Sequence, residues 1–209
     1  MKKKSIRILL VDDHYMVRVG LMAILSLETE FNVVGEAEDG PQALELFRKH
    51  IPDITLMDLR MPGMSGVETT VAIRKEFPDA RIIMLTTYDG DEDIYRGLQA
   101  GAQGYVLKRV LGGELVAAIK AVHAGGRYLS AEATRRLSER APGSDLTARE
   151  LEVLQYMAKG LNNKEIGGLI GCSRFTAKFH VQNILQKLQV ADRTEAVAAA
   201  MQRGILHVN

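Results

Sequence analysis

Ile6-Arg7-Ile8-Leu9-Leu10-Val11-Asp12-Asp13 is a short apolar run that ends on two aspartates. Four later segments have a similar length and apolar character, and amphipathic helical patterns lie between them. The strand candidates are Ile6–Val11, Val33–Ala37, Ile54–Met57, Ile82–Leu85 and Tyr105–Leu107. Near-continuous apolar runs are typical of parallel strands that are covered on both faces. Residues 6–125 therefore predict an α/β fold with a doubly wound, five-stranded parallel sheet.

Polar residues follow these strands. Asp12 and Asp13 come after the first run, Asp58 after the third, and Thr86 and Lys108 after the fourth and fifth. The carboxyl ends of parallel strands share one edge of the sheet, where ligands of such folds bind. Converging carboxylates are costly unless a cation shares them, and oxygen ligands suit Mg²⁺. The pattern favours a magnesium-dependent phosphoryl site, whereas a lone strand-terminal aspartate is more often a turn former.

The last third of the chain carries a different set of signals, those of helix starts. Thr147-x-x-Glu150 and Asn162-x-x-Glu165 are capping boxes. Asp192-x-x-Glu195 has the same N-cap pattern, and Ser173 can cap a further helix. Four short helices of this kind predict an all-α helix-turn-helix domain over residues 145–209. Residues 127–144 are expected to form a linker with one short polar helix, broken at Ala141–Ser144, so the first domain spans residues 1–126.

Composition limits the class of protein. The chain has 209 residues, of which 46% are hydrophobic and 25% charged, and its net charge is +1. No apolar run is long enough for a membrane span, so we expect a cytoplasmic protein with no membrane partner. The single cysteine, Cys172, excludes an intrachain disulfide and a cysteine metal site.

Residues 6–125 resemble the receiver domain of bacterial two-component response regulators. Asp12-Asp13, Asp58, Thr86 and Lys108 at successive strand ends carry this resemblance. It implies a flavodoxin-like receiver in which Asp58 is the phosphoacceptor. It further implies that Asp13 and Asp58 bind Mg²⁺ together with the backbone carbonyl of Arg60.

The same resemblance assigns the remaining pocket residues. Asp12 would hold water molecules bound to the metal ion, while Thr86 and Lys108 would contact the phosphoryl group. Tyr105 matches an aromatic residue whose rotamer follows the position of Thr86, although a half-buried packing role is the alternative.

Residues 146–206 resemble the helix-turn-helix output domain of the NarL/FixJ (LuxR-type) regulators. The match includes Leu146–Glu150, Asn163–Ile166 and Arg193–Ala196. In the third helix, one stripe is apolar and should face the bundle, and the opposite arc is rich in amides and hydroxyls, which suits the DNA major groove. Candidate DNA contacts are Lys164, Ser173, Thr176, Lys178, Phe179, Gln182 and Asn183. Phe179 could meet a thymine methyl group or tuck against the preceding helix.

The last predicted helix, Asp192–Arg203, presents a stripe of Val197, Ala200 and Met201. By resemblance this stripe is a dimerisation surface, which implies a two-fold-related DNA site. Packing inside the helical bundle is the equally weighted alternative.

Together the two resemblances imply a transcription factor gated by phosphorylation. Its expected partners are a sensor histidine kinase, double-stranded DNA, a second copy of the chain on activation, and RNA polymerase. The chain is not expected to be an enzyme beyond phosphoacceptor chemistry and slow self-dephosphorylation at Asp58. A phosphorylation-independent regulator with the receiver as a scaffold is the alternative. A phosphatase is disfavoured, because Arg60 stands where a second carboxylate would act as acid and base.

Overall fold

The computed structural model describes residues 5–87, 90–110, 112–140 and 145–206. The described residues divide into two compact units: residues 5–87, 93–110 and 112–137 belong to the first, and residues 90–92, 138–140 and 145–206 belong to the second. The predicted helix-breaking segment Ala141–Ser144 lies outside the described residues. None of the helices in the described ranges has the length and apolar character needed to cross a membrane.

The first unit is a parallel sheet whose strand order is β2-β1-β3-β4-β5-β6. Its strands are β1 (Ile6–Val11), β2 (Phe31–Ala37), β3 (Ile54–Asp58), β4 (Ile82–Thr86), β5 (Gly104–Leu107) and β6 (Tyr128–Leu129). Its helices are α1 (Tyr15–Ser26), α2 (Gly40–His50), α3 (Gly66–Glu76), α4 (Asp91–Gln99) and α5 (Gly113–His123), and α6 (Ala131–Glu139) follows β6. The predicted α/β doubly wound class is confirmed.

The number of strands is a correction, because the described residues form six strands rather than five. Tyr128 and Leu129 pair in parallel with Gly104 and Tyr105 of β5. Both residues fall in the predicted linker, because a two-residue strand is too short to give an apolar run or an alternating pattern in the sequence.

Side chains of each central strand alternate between two apolar layers. Leu9 and Val11 of β1 join the cluster covered by α2, α3 and α4, whereas Ile8 and Leu10 join the one covered by α1 and α5. This period of two is the geometry of any strand, and here both faces are apolar. The edge at which the strands end is therefore the place left for polar side chains.

The second unit contains four helices, α7 (Ala148–Ala158), α8 (Asn163–Leu169), α9 (Arg174–Leu188) and α10 (Arg193–Gln202). The predicted capping boxes at Thr147 and Asn162 are both formed, and Ser173 and Asp192 cap α9 and α10. The predicted apolar stripe of α9 packs into this unit's core.

Two adjacent glycines in α8 differ in their structural role. A Cβ atom on Gly167 would lie 2.8 Å from the carbonyl oxygen of Cys172, so the backbone there approaches the turn too closely for any side chain. A Cβ atom on Gly168 would meet nothing within 4 Å. Only Gly168 therefore lowers the helix propensity of α8 without a packing reason, and it costs about 1 kcal/mol of stability relative to alanine.

Candidate functional sites

Two of the predicted carboxylates lie side by side at the end of neighbouring strands. Strands β1 and β3 pair in parallel with Val11 opposite Met57, so Asp12 and Asp58 follow on the same edge. Asp12 is 1% exposed and Asp58 4% exposed, while Asp13 is half-buried. Burial of two acids at one point is costly unless opposite charges compensate them.

Lys108 supplies the first compensating charge. Its Nζ atom lies 2.6 Å from Asp12 Oδ2 and 2.9 Å from Asp58 Oδ1, and its side chain is almost fully buried. The ammonium therefore bridges the two carboxylates. The predicted contact of Lys108 was with a phosphoryl group, and this bridge between carboxylates was not predicted.

The pKa of Asp58 shows that Lys108 only partly compensates for the buried acids. Burial raises the pKa of Asp58 to about 6, Lys108 opposes the rise, and the neighbouring Asp12 adds to it. One ammonium thus does not fully compensate for the burial and the second acid.

The chemistry of this pocket fits a divalent cation. Three carboxylates and one ammonium leave two negative charges uncompensated. One ligand atom from each of Asp12, Asp13, His14 and Asp58 lies within 4.8 Å of the others. Carboxylate oxygens are the preferred ligands of Mg²⁺, so this acidic cluster is compatible with the predicted magnesium site. His14 was not foreseen, and its Nδ1 lies 2.7 Å from Asp13 Oδ1.

The loop after the phosphoacceptor candidate is held close to β3. A Cβ atom on Gly66 would lie 1.9 Å from the carbonyl oxygen of Asp58, so only glycine allows α3 to begin there. Ser65 and Glu68 form a capping box at this helix start. Arg60 directs its guanidinium to Asp93, with Nη2 2.9 Å from Oδ2. The role of the Arg60 carbonyl as a metal ligand stays a prediction.

Thr86 and Tyr105 are both fully buried. Thr86 is the last residue of β4 and pairs with Leu107, the residue before Lys108. It therefore lies at the same edge as the acids, as predicted. Tyr105 lies in the apolar interior and is more deeply buried than the half-buried packing role implied, while the coupling of its rotamer to Thr86 stays a prediction.

Arg18 is a supporting residue that sequence reasoning missed. Its Nη1 donates a hydrogen bond of 2.7 Å to the Asp12 carbonyl oxygen, and its guanidinium pairs with Glu38 and Glu36. Arg18 is a buried residue of α1. Its hydrogen bond therefore fixes the backbone that carries Asp12. An arginine inside an apolar helical pattern gives no signal of its target in the sequence.

In the second unit, six of the seven predicted DNA contacts are exposed, and Asn183 is half-buried. Ser173 accepts a hydrogen bond from the Thr176 backbone N–H, and the two hydroxyls lie 2.9 Å apart. These two residues therefore also start α9, and the exposed side chains are available to a ligand.

A basic groove lies beside the start of α9. It has a volume of about 450 Å³ and is lined by Asn162, Asn163, Lys164, Arg174 and Arg193. Arg193 Nη2 donates a hydrogen bond to the Leu161 carbonyl oxygen, which fixes the position of this guanidinium. Lys164 and Arg174 are exposed, and Arg174 is a candidate contact that sequence reasoning missed.

The predicted dimerisation stripe on α10 requires a correction. Ala200 is 0% exposed and belongs to the core of the unit, and Val197 packs against that core. Only Met201, at 41%, is exposed. Small residues let α10 pack closely inside its own bundle, which was the alternative interpretation of this stripe.

Two protein families match the chain, one in each half. Residues 8–120 match the model described as "Response regulator receiver domain", and residues 144–200 match "Bacterial regulatory proteins, luxR family". The transcriptional regulatory protein LiaR of Bacillus subtilis is 40% identical over 210 residues, covering 97% of this chain and 100% of LiaR.

Solved structures are similar over the same length. The response regulator ChrA of a heme-sensing two-component system is 37% identical, with a TM-score of 0.58 and coverage of 97% of this chain and 99% of ChrA. RcsB of Salmonella enterica serovar Typhimurium, bound to a promoter in the presence of the phosphomimetic BeF3-, is 26% identical, with a TM-score of 0.74 and coverage of 95% and 99%. This chain therefore belongs to the LuxR-type (NarL/FixJ) family of two-component response regulators.

Proposed function

We propose that this chain is a transcriptional regulator whose DNA binding is gated by phosphorylation of Asp58 from a partner histidine kinase. The observation that carries the proposal is the Lys108 ammonium, 2.9 Å from Asp58 and 2.6 Å from Asp12 in a buried pocket. A scaffold that only binds other proteins needs no such charged cluster.

The chemistry follows from these positions. An Asp58 oxygen forms a bond to phosphorus as the bond from phosphorus to the kinase histidine breaks, which transfers the phosphoryl group in line. Asp13, Asp58 and the Arg60 carbonyl would hold Mg²⁺, which would supply charge neutralisation. Lys108 already bridges Asp58, so its ammonium can move to a phosphoryl oxygen over a short distance.

The conformational part of the proposal concerns Thr86 and α4. The Thr86 hydroxyl, at the end of β4, would donate to a phosphoryl oxygen. Movement of β4 would then change the surface around α4 and β5, which includes Leu98 and Lys108. Release of the DNA-binding domain or pairing with a second copy would follow. RcsB, which is similar to this chain, binds DNA as dimers, and this supports the proposal that a pair of chains binds DNA.

Beryllofluoride gives a direct test, because it replaces the phosphoryl group on an aspartate. Wild type and Asp58→Asn would be incubated with beryllofluoride and Mg²⁺, and mass and DNA affinity would be measured by light scattering and fluorescence anisotropy. We expect tighter DNA binding and pairing of wild type only. Equal DNA affinity and mass for both proteins, with and without beryllofluoride, would instead favour the phosphorylation-independent scaffold.

A further inference from the structure

We propose that Phe175 and Phe179 of α9 form an aromatic pair that recognises thymine methyl groups in the DNA major groove. The proposal rests on the proposed DNA-binding function and names the base that this helix prefers. It adds Phe175, which the sequence pattern did not single out, to the candidate contacts.

The exposure of the two rings is the primary observation. Phe175 is 82% exposed and Phe179 is 59% exposed, whereas Ala177, Val181 and Ile184 of the same helix are buried. A single exposed apolar side chain is ordinary, but two large rings on one face form a patch that favours contact with another molecule.

The spacing of the pair suits adjacent base pairs. Residues i and i+4 of a helix lie on the same face, separated by about 6 Å along the axis. Successive bases of one DNA strand are about 3.4 Å apart along the duplex. A helix lying along the major groove would therefore place the two rings over positions about two steps apart.

The chemistry of the groove limits what the rings can touch. Thymine alone among the four bases presents an apolar group, its C5 methyl, at the floor of the major groove. The aromatic pair can therefore distinguish thymine by contact with this methyl group.

The surroundings of the pair favour DNA over an apolar protein surface. Arg174 precedes Phe175 and Lys178 precedes Phe179, and both cations are exposed. Thr176 and Gln182 add polar groups to the exposed part of α9. Cations beside the patch suit the phosphates that border the groove.

The test uses the full chain with Mg²⁺ and beryllofluoride. Preferred sites are first selected from random double-stranded DNA, and each thymine in the selected duplex is then replaced by deoxyuridine, which lacks only the methyl group. We expect about a fourfold loss of affinity at each contacted thymine, since one buried methyl or methylene group contributes about this factor. Two such positions should lie about two steps apart.

Variants assign each position to a ring. The Phe179→Ala variant should have the same affinity for duplexes with thymine or deoxyuridine at one of the two positions. The Phe175→Ala variant should have the same affinity for both duplexes at the other position. Leu169→Ala removes another exposed apolar side chain, from α8, and should keep the full preference for thymine. Far-UV circular dichroism confirms that each variant is folded.

The possible outcomes distinguish failure of thymine-methyl recognition from failure of the proposed regulatory function. Selective DNA binding with less than a twofold effect of deoxyuridine at every position overturns methyl recognition and leaves the regulator intact. Absence of any selective DNA binding overturns both. If the phenylalanine variants change self-association and not the preference for thymine, the pair is a protein contact and the proposal is wrong.

Discussion

Removal of the Asp58 charge should stabilise the metal-free protein at neutral pH. In the folded protein burial raises the pKa of Asp58 from its ordinary 3.8 to about 6, despite the attraction of Lys108. Each pH unit corresponds to about 1.4 kcal/mol, so the ionised carboxylate lowers the free energy of unfolding by about 3 kcal/mol. The amide side chain in the variant Asp58→Asn resembles the protonated acid and avoids this cost.

The pH dependence has a definite sign. Below pH 3.8 the carboxyl group is protonated in both the folded and unfolded chain, so wild type and Asp58→Asn should be equally stable. As the pH rises from 3.8 to about 6, the unfolded chain releases the proton first, and wild type loses stability relative to the variant. Above about pH 6.5 the difference should be constant at about 3 kcal/mol.

Urea unfolding in EDTA measures this difference in stability. The unfolding is monitored by far-UV circular dichroism because the chain has no tryptophan. The transition of the receiver domain is compared at several pH values between 4 and 8. Asp79→Asn removes an exposed charge and should change stability by less than about 0.5 kcal/mol. Saturating Mg²⁺ should narrow the gap, since only wild type retains the third carboxylate. A variant no more stable than wild type at pH 7.5 in EDTA would refute the argument from uncompensated burial.

Four further substitutions test close packing and one buried ion pair by the same urea assay. Gly168→Ala should raise stability by about 1 kcal/mol, while Gly167→Ala should lower it because the added methyl meets a carbonyl oxygen at 2.8 Å; stabilisation by both would contradict the close approach. Lys187→Met should lower stability by about 2 kcal/mol, because it leaves the buried Glu150 carboxylate without its partner at 2.6 Å; the loss should shrink at acidic pH. Gly66→Ala should both destabilise the receiver and weaken beryllofluoride binding, and unchanged binding would show that the turn does not position the site.

The positions of the site residues were predictable because they depend on backbone geometry. A strand fixes where its last residue lies, and parallel strands end at one edge, so Asp12, Asp58, Thr86 and Lys108 converge whatever surrounds them. Helix caps are similarly local, since a hydroxyl or carboxylate satisfies an amide only two or three residues away. These features need no knowledge of the tertiary packing.

Contacts between distant residues were not predictable in this way. Arg18 reaches the Asp12 carbonyl through the orientation of α1, and Lys187 pairs with Glu150 across thirty-seven positions of sequence. The burial of Glu150 would raise its pKa, but the hydrogen bonds from Lys187 and Thr147 lower it instead. A sequence shows that such residues are charged and does not show which of many opposite charges each one meets.

The stripe on α10 shows why small residues are ambiguous in a sequence. Alanine permits close helix packing equally well inside a domain or between two copies, and a helical period of 3.6 does not distinguish them. The difference lies in the other helices: α7 and α9 both present apolar faces, and these are covered when Ala196 and Ala200 enter the core. Among the described residues of this unit, the large apolar side chains that stay exposed include Leu169, Phe175, Phe179 and Met201. Only Met201 of these lies on α10, so a dimer formed through the predicted stripe would depend on few apolar contacts.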